Sequence, residues 1–212
     1  MEYINKYGFH ALLAAMVGDI IVSLLLPLFY GGYSSMKMSI SALGNPKSPV
    51  RLPFNLWMLA EGLLFLVALP ALHKHYAVVS GGLTNTLVAF VAVFAVGACI
   101  FTCFFSVNES KDVVTLASKI HGAGSILGFM LFLFVPLLVA LLSFKGGEKP
   151  LGAICIFCFA AALIFFALFV MSDKQEFAGT FIANEGLWQR LNLVFMYLPL
   201  AIVAAESITS KA

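Results

Sequence analysis

One short stretch of this chain has the residue types of a binding site: SISALGNPKSPVRLPFN, residues 39–55, lies between two long apolar runs. Its two serine hydroxyls, Ser39 and Ser41, and the amide of Asn55 can each form neutral hydrogen bonds to a ligand. A serine hydroxyl also becomes a nucleophile when a nearby histidine accepts its proton. The prolines and the glycine are equally typical of a plain surface loop. Two interpretations therefore stay open, a shaped loop and part of a site.

A second set of polar residues lies in the stretch SKIHGAGSILG. Ser118, His121 and Ser125 recur at three- and four-residue steps, so they share one face of a helix. Gly124 and Gly128 form a G-x-x-x-G pattern, which lets another membrane helix approach closely. A lone histidine is more often structural than catalytic. A face of serines and glycines nevertheless favours the interior of a helix bundle over a lipid-facing position.

A third set lies in the stretch NEGLWQRLN. Glu185, Gln189 and Asn192 share one helical face, whereas Arg190 points elsewhere. Gln189 can supply neutral hydrogen bonds to a ligand, and the guanidinium of Arg190 is suited to an anionic group.

Two carboxylates, Asp19 and Glu61, lie deep inside apolar runs. Each is about nine residues from the start of its run, which places it about 13 Å deep at 1.5 Å per residue. A charge at that depth is costly, so we expect both side chains to be buried in a bundle and either protonated or paired. Arg190 is long enough to reach toward Glu61. A structural ion pair and a proton relay are both consistent with this arrangement.

The elements that must position these residues follow from composition. Of the 212 residues, 62% are hydrophobic and only 10% are charged, far below the roughly 25% of a soluble domain. A net charge of +2 gives no electrostatic basis for binding nucleic acid. We predict an all-α integral membrane protein, a single domain over residues 1–212. Its six predicted spans are about 9–30, 52–72, 84–106, 120–143, 150–171 and 187–206.

Six spans bring the polar residues to one membrane face. Both termini then lie on one side, and the longer loops 31–51, 107–119 and 172–186 lie on the other. Asn55, His121 and Gln189 all enter from the long-loop side. Lysine and arginine occur on both sides in similar numbers. Three long-side cations, Arg51, Lys119 and Arg190, lie at helix ends, where they would serve the site rather than set the orientation. We therefore expect the termini in the cytoplasm.

The four cysteines indicate core residues rather than metal ligands. Cys99 and Cys103 lie late in the third span, and Cys155 and Cys158 lie early in the fifth. The two pairs are therefore at opposite depths, and no second cluster completes a metal site. We expect neither a metal nor a cofactor.

Several short motifs in order carry a family resemblance: Ser39-x-Ser41-x-Leu43-Gly44, Phe54-Asn55, His121 and Gly186-Leu187-x-Gln189-Arg190. This set resembles the bacterial and archaeal membrane family called domain of unknown function 998, over essentially the whole chain. The family is distantly similar to Frag-type and DRAM-type membrane proteins. The resemblance implies that these motifs form a shared signature and that the protein lies in a prokaryotic plasma membrane, but it implies no reaction.

Our leading hypothesis is a polar pocket on the long-loop face that binds a lipid headgroup or a small amphiphile, with membrane lipids as partners. Arg190, Lys119 and Arg51 would meet an anionic group. The predicted ligand-binding residues are Ser39, Ser41, Asn55, His121, Ser125, Gln189 and Arg190. The polar stretch at residues 39–55 would cover this pocket.

Three alternatives stay open. The first is an intramembrane hydrolase in which His121 activates Ser39 or Ser41 and is oriented by Glu109 or Asp112. The second is a structural subunit without a ligand. The third is a carrier that uses the buried carboxylates. Self-association into a homo-oligomer is also left open.

Overall fold

A computed structural model describes residues 2–108 and 114–210, with side chains from residue 7 onward. Glu109 and Asp112, the predicted orienting acids, lie outside the described residues. Within the described part the chain is helical and has no β-strand. The α-helices are α1 (Glu2–Leu25), α2 (Arg51–Tyr76), α3 (Gly81–Phe94), α4 (Phe101–Phe104), α5 (Leu116–Phe132), α6 (Val135–Lys145), α7 (Lys149–Ser172) and α8 (Glu185–Thr209). Short 3-10 turns cover Leu26–Phe29, Ile40–Gly44, Gln175–Phe177 and Phe181–Ala183.

Six stretches of the described chain are long and apolar enough to cross a membrane, which confirms the predicted six-span bundle. They are Tyr7–Phe29, Arg51–Tyr76, Gly81–Phe104, Leu116–Lys145, Lys149–Ser172 and Glu185–Thr209. Each predicted span agrees with one of them to about one helical turn. The apolar lengths that the bilayer requires were therefore sufficient to locate every span.

The third span is irregular near its centre. Between α3 and α4 the backbone forms a π-helical segment, Ala95–Ile100. Such bulges are rare and often accompany functional sites. Gly97 in this segment faces Gly124 of α5, and a Cβ on Gly97 would lie 2.6 Å from the Gly124 carbonyl oxygen. The close helix approach predicted at Gly124 is thus confirmed, and it is made through backbone atoms.

The fourth span is broken into α5 and α6 near Pro136. Proline has no N–H to donate to the carbonyl of Phe132, and its ring clashes with that carbonyl, so the helix cannot continue unbent. Beyond the break α6 packs against α7, α3 and α8, whereas α5 packs against α3 and the π segment. α5 and α7 do not pack along each other in the described chain, and both line the cavity described below; we call the space between them, in the half of the bundle that holds residues 31–50, the gap between α5 and α7.

Three phenylalanines fix the centre of the bundle. The rings of Phe65, Phe94 and Phe132 surround Tyr197 of α8 at centroid distances of 6.1, 6.2 and 5.7 Å. All four side chains are buried. These tilted and edge-on contacts hold the phenol ring of Tyr197 in place, which leaves its hydroxyl group for polar partners.

Candidate functional site

The loop between the first two spans, residues 31–50, contains Ser39 and Ser41, and we call it the polar loop. It is folded against the start of α8. The backbone N–H of Ile40 donates to Gln189 Oε1 at 2.7 Å. The hydroxyl of Tyr33 donates to the Ser39 carbonyl at 2.8 Å. Burial raises the pKa of Tyr33 although the Arg190 guanidinium opposes this, so the phenol keeps the proton that it donates. Both hydrogen bonds therefore hold the peptide group between Ser39 and Ile40, next to the two serine hydroxyls.

The guanidinium of Arg190 is the second tie between this loop and the helices. Nη1 donates to the carbonyls of Ser35 at 2.8 Å and Gly186 at 3.0 Å. Nη2 donates to the Ser23 carbonyl and to the Tyr33 hydroxyl, both at 3.0 Å. The cation thereby joins α1, the polar loop and α8. The expected reach toward Glu61 is wrong, because these oxygens occupy the guanidinium.

A cavity of about 460 Å³ lies beside the loop, inside the long-loop half of the bundle. Residues from the loop, from α1, α2, α5, α7 and α8, and from the third span line it. They are Asp19, Ser39, Ile40, Ser41, Phe54, Met58, Glu61, Phe94, Ala98, Thr102, His121, Gly122, Ser125, Ile126, Phe129, Met130, Phe166, Phe169, Val170, Glu185, Gln189, Leu193 and Tyr197.

Most of the predicted ligand-binding residues lie in this lining. Ser39, Ser41, His121, Ser125 and Gln189 come together there although they are far apart in sequence. The two deep carboxylates contribute to the same lining. Whether these residues bind a ligand is still a prediction.

Two predicted residues do not line the cavity. Arg190 is held by the loop carbonyls described above, and Asn55 lies behind the loop, where a Cβ on Gly44 would come within 2.9 Å of its Oδ1. That oxygen is buried without a hydrogen-bond partner. Asn192, placed on the same helical face as Gln189 by its spacing, instead donates to the Ala162 carbonyl of α7 at 2.9 Å.

The deepest part of the cavity holds two carboxyl groups around one hydroxyl. The Tyr197 hydroxyl oxygen lies 3.0 Å from Asp19 Oδ2 and 3.1 Å from Glu61 Oε1. A hydroxyl has one hydrogen and can donate it to only one of these oxygens. The other contact needs a hydrogen on the carboxyl group itself. We call these three residues the carboxyl cluster, and one carboxyl proton satisfies both of its short contacts.

Glu61 has a second oxygen that is not used. The side chain is 1% exposed, and its Oε2 is buried without a hydrogen-bond partner among the described residues. The thiol of Cys99, in the π segment, is the polar group beside this carboxylate, and a thiol is a weak donor. A buried acceptor without a good partner is costly, so this oxygen needs an explanation.

Sequence reasoning missed Tyr197. An aromatic residue inside an apolar helix usually packs in the core or against lipid, and the 21 phenylalanines of the chain favour the same interpretation of Tyr197. Two signals were nevertheless present. Tyrosine prefers the membrane interfaces, whereas Tyr197 is mid-span, and it lies eight residues after Gln189, on roughly the same helical face.

His121 has partners other than the serines of the loop. Its ring nitrogens lie 3.4 Å from Thr102 Oγ1 and 3.5 Å from Ser125 Oγ, which are long contacts. Ser39 and Ser41 instead lie 3.2 Å apart, hydroxyl to hydroxyl. Within the described residues no hydrogen bond joins either serine to His121. The nucleophile and base of the hydrolase hypothesis share a cavity but not a hydrogen bond, and that hypothesis stays a prediction.

The lateral wall of the cavity is apolar and faces outward. Ile126 and Met130 of α5 and Val170 of α7 line the cavity and are also exposed on the outer surface. They border the gap between α5 and α7. In a membrane, exposed apolar side chains at this depth meet acyl chains.

The charges around the cavity have one sign. Asp19, Glu61 and Glu185 are in the lining, whereas no lysine or arginine of residues 7–108 and 114–210 is. Lys119 and Arg51, which the sequence suggested as contacts for an anionic group, are not lining residues. The only other titratable side chains in the lining are those of His121 and Tyr197.

All four cysteines are free thiols, and three of them, Cys99, Cys155 and Cys158, are buried. In the described part of the chain, no group of three or more histidine, cysteine, aspartate or glutamate side chains is arranged to hold a metal ion.

Six apolar spans and a cavity within them define a multi-pass α-helical membrane protein. A family model described as "Protein of unknown function (DUF998)" matches residues 13–206, and the chain belongs to that family. The resemblance drawn from the short motifs is thereby confirmed. No curated protein and no solved structure matches the chain. The more distant similarity to Frag-type and DRAM-type proteins stays an expectation.

Proposed function

We propose that this protein binds one membrane amphiphile, with the polar head inside the cavity and the acyl chain leaving between α5 and α7. The observation that carries the proposal is the arrangement of the cavity, which is apolar at its lateral gap and polar at its inner end. A lipid has the same arrangement along its length. Binding it this way would leave the head hydrogen-bonded and the chain in hydrocarbon.

The gap lies beside the half of the fourth span that precedes the helix break at Pro136. This half, α5, packs against α3 and the π segment, where Gly97 and Gly124 permit backbone contact. The sequence thus supports the opening at two places, a proline that bends the span and glycines that accept the bent half.

The inner end of the cavity offers neutral hydrogen-bonding groups at fixed positions. Gln189 Oε1 is held by the Ile40 N–H, which orients the amide, and the hydroxyls of Ser39 and Ser41 lie next to each other. His121 and Ser125 lie on the α5 wall. Groups that are already oriented lose little entropy when a ligand binds, and this supports a site for a polar head.

The size of the cavity also supports one amphiphile. Ligand pockets have volumes of roughly 300 to 1,000 Å³. A cavity of about 460 Å³ has room for a head and the first part of one chain. The rest of the chain would lie along the outer surfaces of α5 and α7, next to Ile126 and Val170.

Two adjacent residues of α5 provide a matched test. Ile126 is 63% exposed and lines the cavity, whereas Leu127 is 55% exposed and does not. We expect Ile126→Trp to fill the gap and Leu127→Trp to add a lipid-facing ring of the same size. Native mass spectrometry of protein extracted from the membrane should show a retained lipid in wild type and Leu127→Trp, reduced at least fivefold in Ile126→Trp.

Both tryptophan variants must give the same monodisperse elution as wild type, so that a loss of lipid is not a loss of folding. Equal lipid retention in the two variants would contradict binding through the α5–α7 gap. Absence of any retained lipid in wild type, combined with no uptake of added lipids, would contradict the proposed function itself.

A further inference from the structure

The carboxyl cluster lies at the inner end of the cavity, where the head of an amphiphile would arrive. Its Glu61 Oε2 is a buried acceptor without a hydrogen-bond partner in the described chain, and Glu61 is a lining residue. Most buried polar atoms have a hydrogen-bond partner. Among the described residues with a buried side-chain atom that lacks one, Glu61 is the residue that lines the cavity. The unused oxygen of this cavity-lining carboxyl group is therefore best explained as a contact for something that enters the cavity.

We propose that the cavity takes an amphiphile with an ammonium head, which binds Glu61 Oε2 and replaces the proton of the carboxyl cluster. This proposal rests on the proposed function, because it specifies the head group of the same ligand. It adds that binding is an exchange: the ammonium enters, and the carboxyl proton leaves to solvent.

The charge of the lining selects the sign of the head. Three carboxyl groups and no described lysine or arginine line the cavity, so an anionic head would meet like charges and no cation. An isolated charge within the bilayer is costly unless it is paired. An ammonium facing Glu61 would be paired, whereas a phosphate or carboxylate in the same place would not.

The chemistry of an ammonium fits the acceptors. A primary ammonium has three N–H donors and no acceptor, and the feature missing at Glu61 Oε2 is a strong donor. The hydroxyls of Ser39 and Ser41 can accept further N–H groups. A cation also gains from aromatic faces, and the lining includes Phe54 and Phe94.

Proton exchange follows from counting hydrogens in the carboxyl cluster. Without ligand, one hydroxyl bridges two carboxyl groups, and one carboxyl proton satisfies the contact that the hydroxyl hydrogen does not. An ammonium supplies the positive charge that the proton supplied. Two ionised carboxylates then face one ammonium and the Tyr197 hydroxyl hydrogen, and the charge of the site is unchanged.

The carboxyl cluster and the thiol beside it come from four structural elements. Asp19 lies on α1, Glu61 on α2, Cys99 on the π segment and Tyr197 on α8. Arg190 acts on Asp19 from a distance, with its hydrogen bonds made elsewhere. The other titratable lining groups, His121 and Glu185, lie outside the cluster, so a test must separate His121 from Glu61.

The test uses three probes that share one alkyl chain and one label but end in an ammonium, a hydroxyl or a carboxylate. Equilibrium binding is measured with protein in nanodiscs of zwitterionic lipid. We expect wild type to bind the ammonium probe at least tenfold more tightly than the alcohol and the carboxylate probe most weakly. Glu61→Gln should reduce ammonium binding at least tenfold, to the level of the alcohol probe in wild type.

Proton release is measured by calorimetry of ammonium binding in two buffers with different heats of protonation. We expect about one proton released for each ligand bound, as an exchange of equal charges requires. The release should persist in His121→Asn. A release that disappears in His121→Asn, or an ammonium probe that binds without any release, would overturn the exchange at Glu61.

The outcomes distinguish this inference from the proposed function. If the alcohol or carboxylate probe binds as tightly as the ammonium, and Ile126→Trp weakens it, amphiphile binding stands and the ammonium inference is overturned. If none of the probes responds to Ile126→Trp, the proposed function fails, and the inference fails with it.

Discussion

Arg190 and Tyr197 lie about two turns apart on α8, and both connect that helix to α1, but they use buried hydrogen bonds in different ways. Arg190 makes four hydrogen bonds, three to carbonyls and one to a phenol. Tyr197 has one hydrogen for two carboxyl oxygens, and its partner Glu61 keeps an unused oxygen. The first set is saturated at both Nη groups, although Arg190 Nε has no hydrogen-bond partner in the described chain, and it lies outside the cavity. The second set is unsaturated at Glu61 Oε2 and lines the cavity.

This difference separates two roles that burial alone does not separate. Arg190 and Glu61 are both buried charged side chains in spans, and sequence reasoning treated each as a potential site residue. A saturated set stabilises one arrangement of the chain, because every change leaves polar atoms without partners. An unsaturated set that faces a cavity has capacity for a ligand. Replacing residues in the two sets should therefore change different properties.

The largest expected effect on stability is that of Arg190→Ala. Removing the guanidinium takes a hydrogen-bond donor from the carbonyls of Ser23, Ser35 and Gly186. The cost is about 1–3 kcal/mol for each of these groups that water cannot reach. We expect the free energy of unfolding, measured by titration with a denaturing detergent, to fall by about 3 kcal/mol or more. Arg51→Ala is the matched control, because Arg51 is exposed at the start of α2.

A loss in Arg190→Ala no larger than in Arg51→Ala would contradict a scaffolding role. Arg190 would then again be a candidate ligand-binding residue, as the sequence suggested. Arg190→Lys sharpens the test, since it keeps the charge but cannot form the same fan of hydrogen bonds. It should recover less than half of the lost stability.

The sequence was sufficient for the fold because the bilayer imposes simple requirements. About 20 apolar residues are needed for each span, and a carboxylate inside a span must be buried, so the six spans and the burial of Asp19 and Glu61 could be predicted. The sidedness of Ser39, His121 and Gln189 followed from counting spans. These predictions depend on residue type and length, which are visible in the sequence.

The partners of Arg190 and the role of Tyr197 could not be predicted in the same way. Arg190 binds backbone carbonyls, and carbonyls are present at every residue, so no residue type indicates which ones lie within reach. Tyr197 depends on where α8 rotates relative to Asp19 and Glu61, which is decided by packing of Phe65, Phe94 and Phe132. Spacing alone does not determine that rotation.

Tyr197→Phe is expected to have an intermediate effect. The ring keeps its contacts with the three phenylalanines, and only the hydroxyl shared by Asp19 and Glu61 is lost. We expect a decrease of about 1–2 kcal/mol in the free energy of unfolding, because two buried carboxyl oxygens lose a partner. Tyr30→Phe is a control on a half-buried tyrosine, whose hydroxyl accepts one hydrogen bond from Asn45. A larger loss in Tyr30→Phe would contradict the importance of the cluster.

The smallest expected effect on stability is that of Glu61→Gln. It tests most directly whether Glu61, unlike Arg190, contributes little to stability. The glutamine amide has nearly the shape of a protonated glutamic acid, and its N–H can donate to the Tyr197 oxygen as the acid would. We expect the free energy of unfolding to change by no more than about 0.5 kcal/mol, as for a surface substitution.

Asp19→Asn is the corresponding variant of the other carboxyl group. If Asp19→Asn is the neutral change and Glu61→Gln costs more than about 2 kcal/mol, Asp19 carries the carboxyl proton. Glu61 would then be ionised before any ligand binds, and an ammonium would bind it without releasing a proton from it.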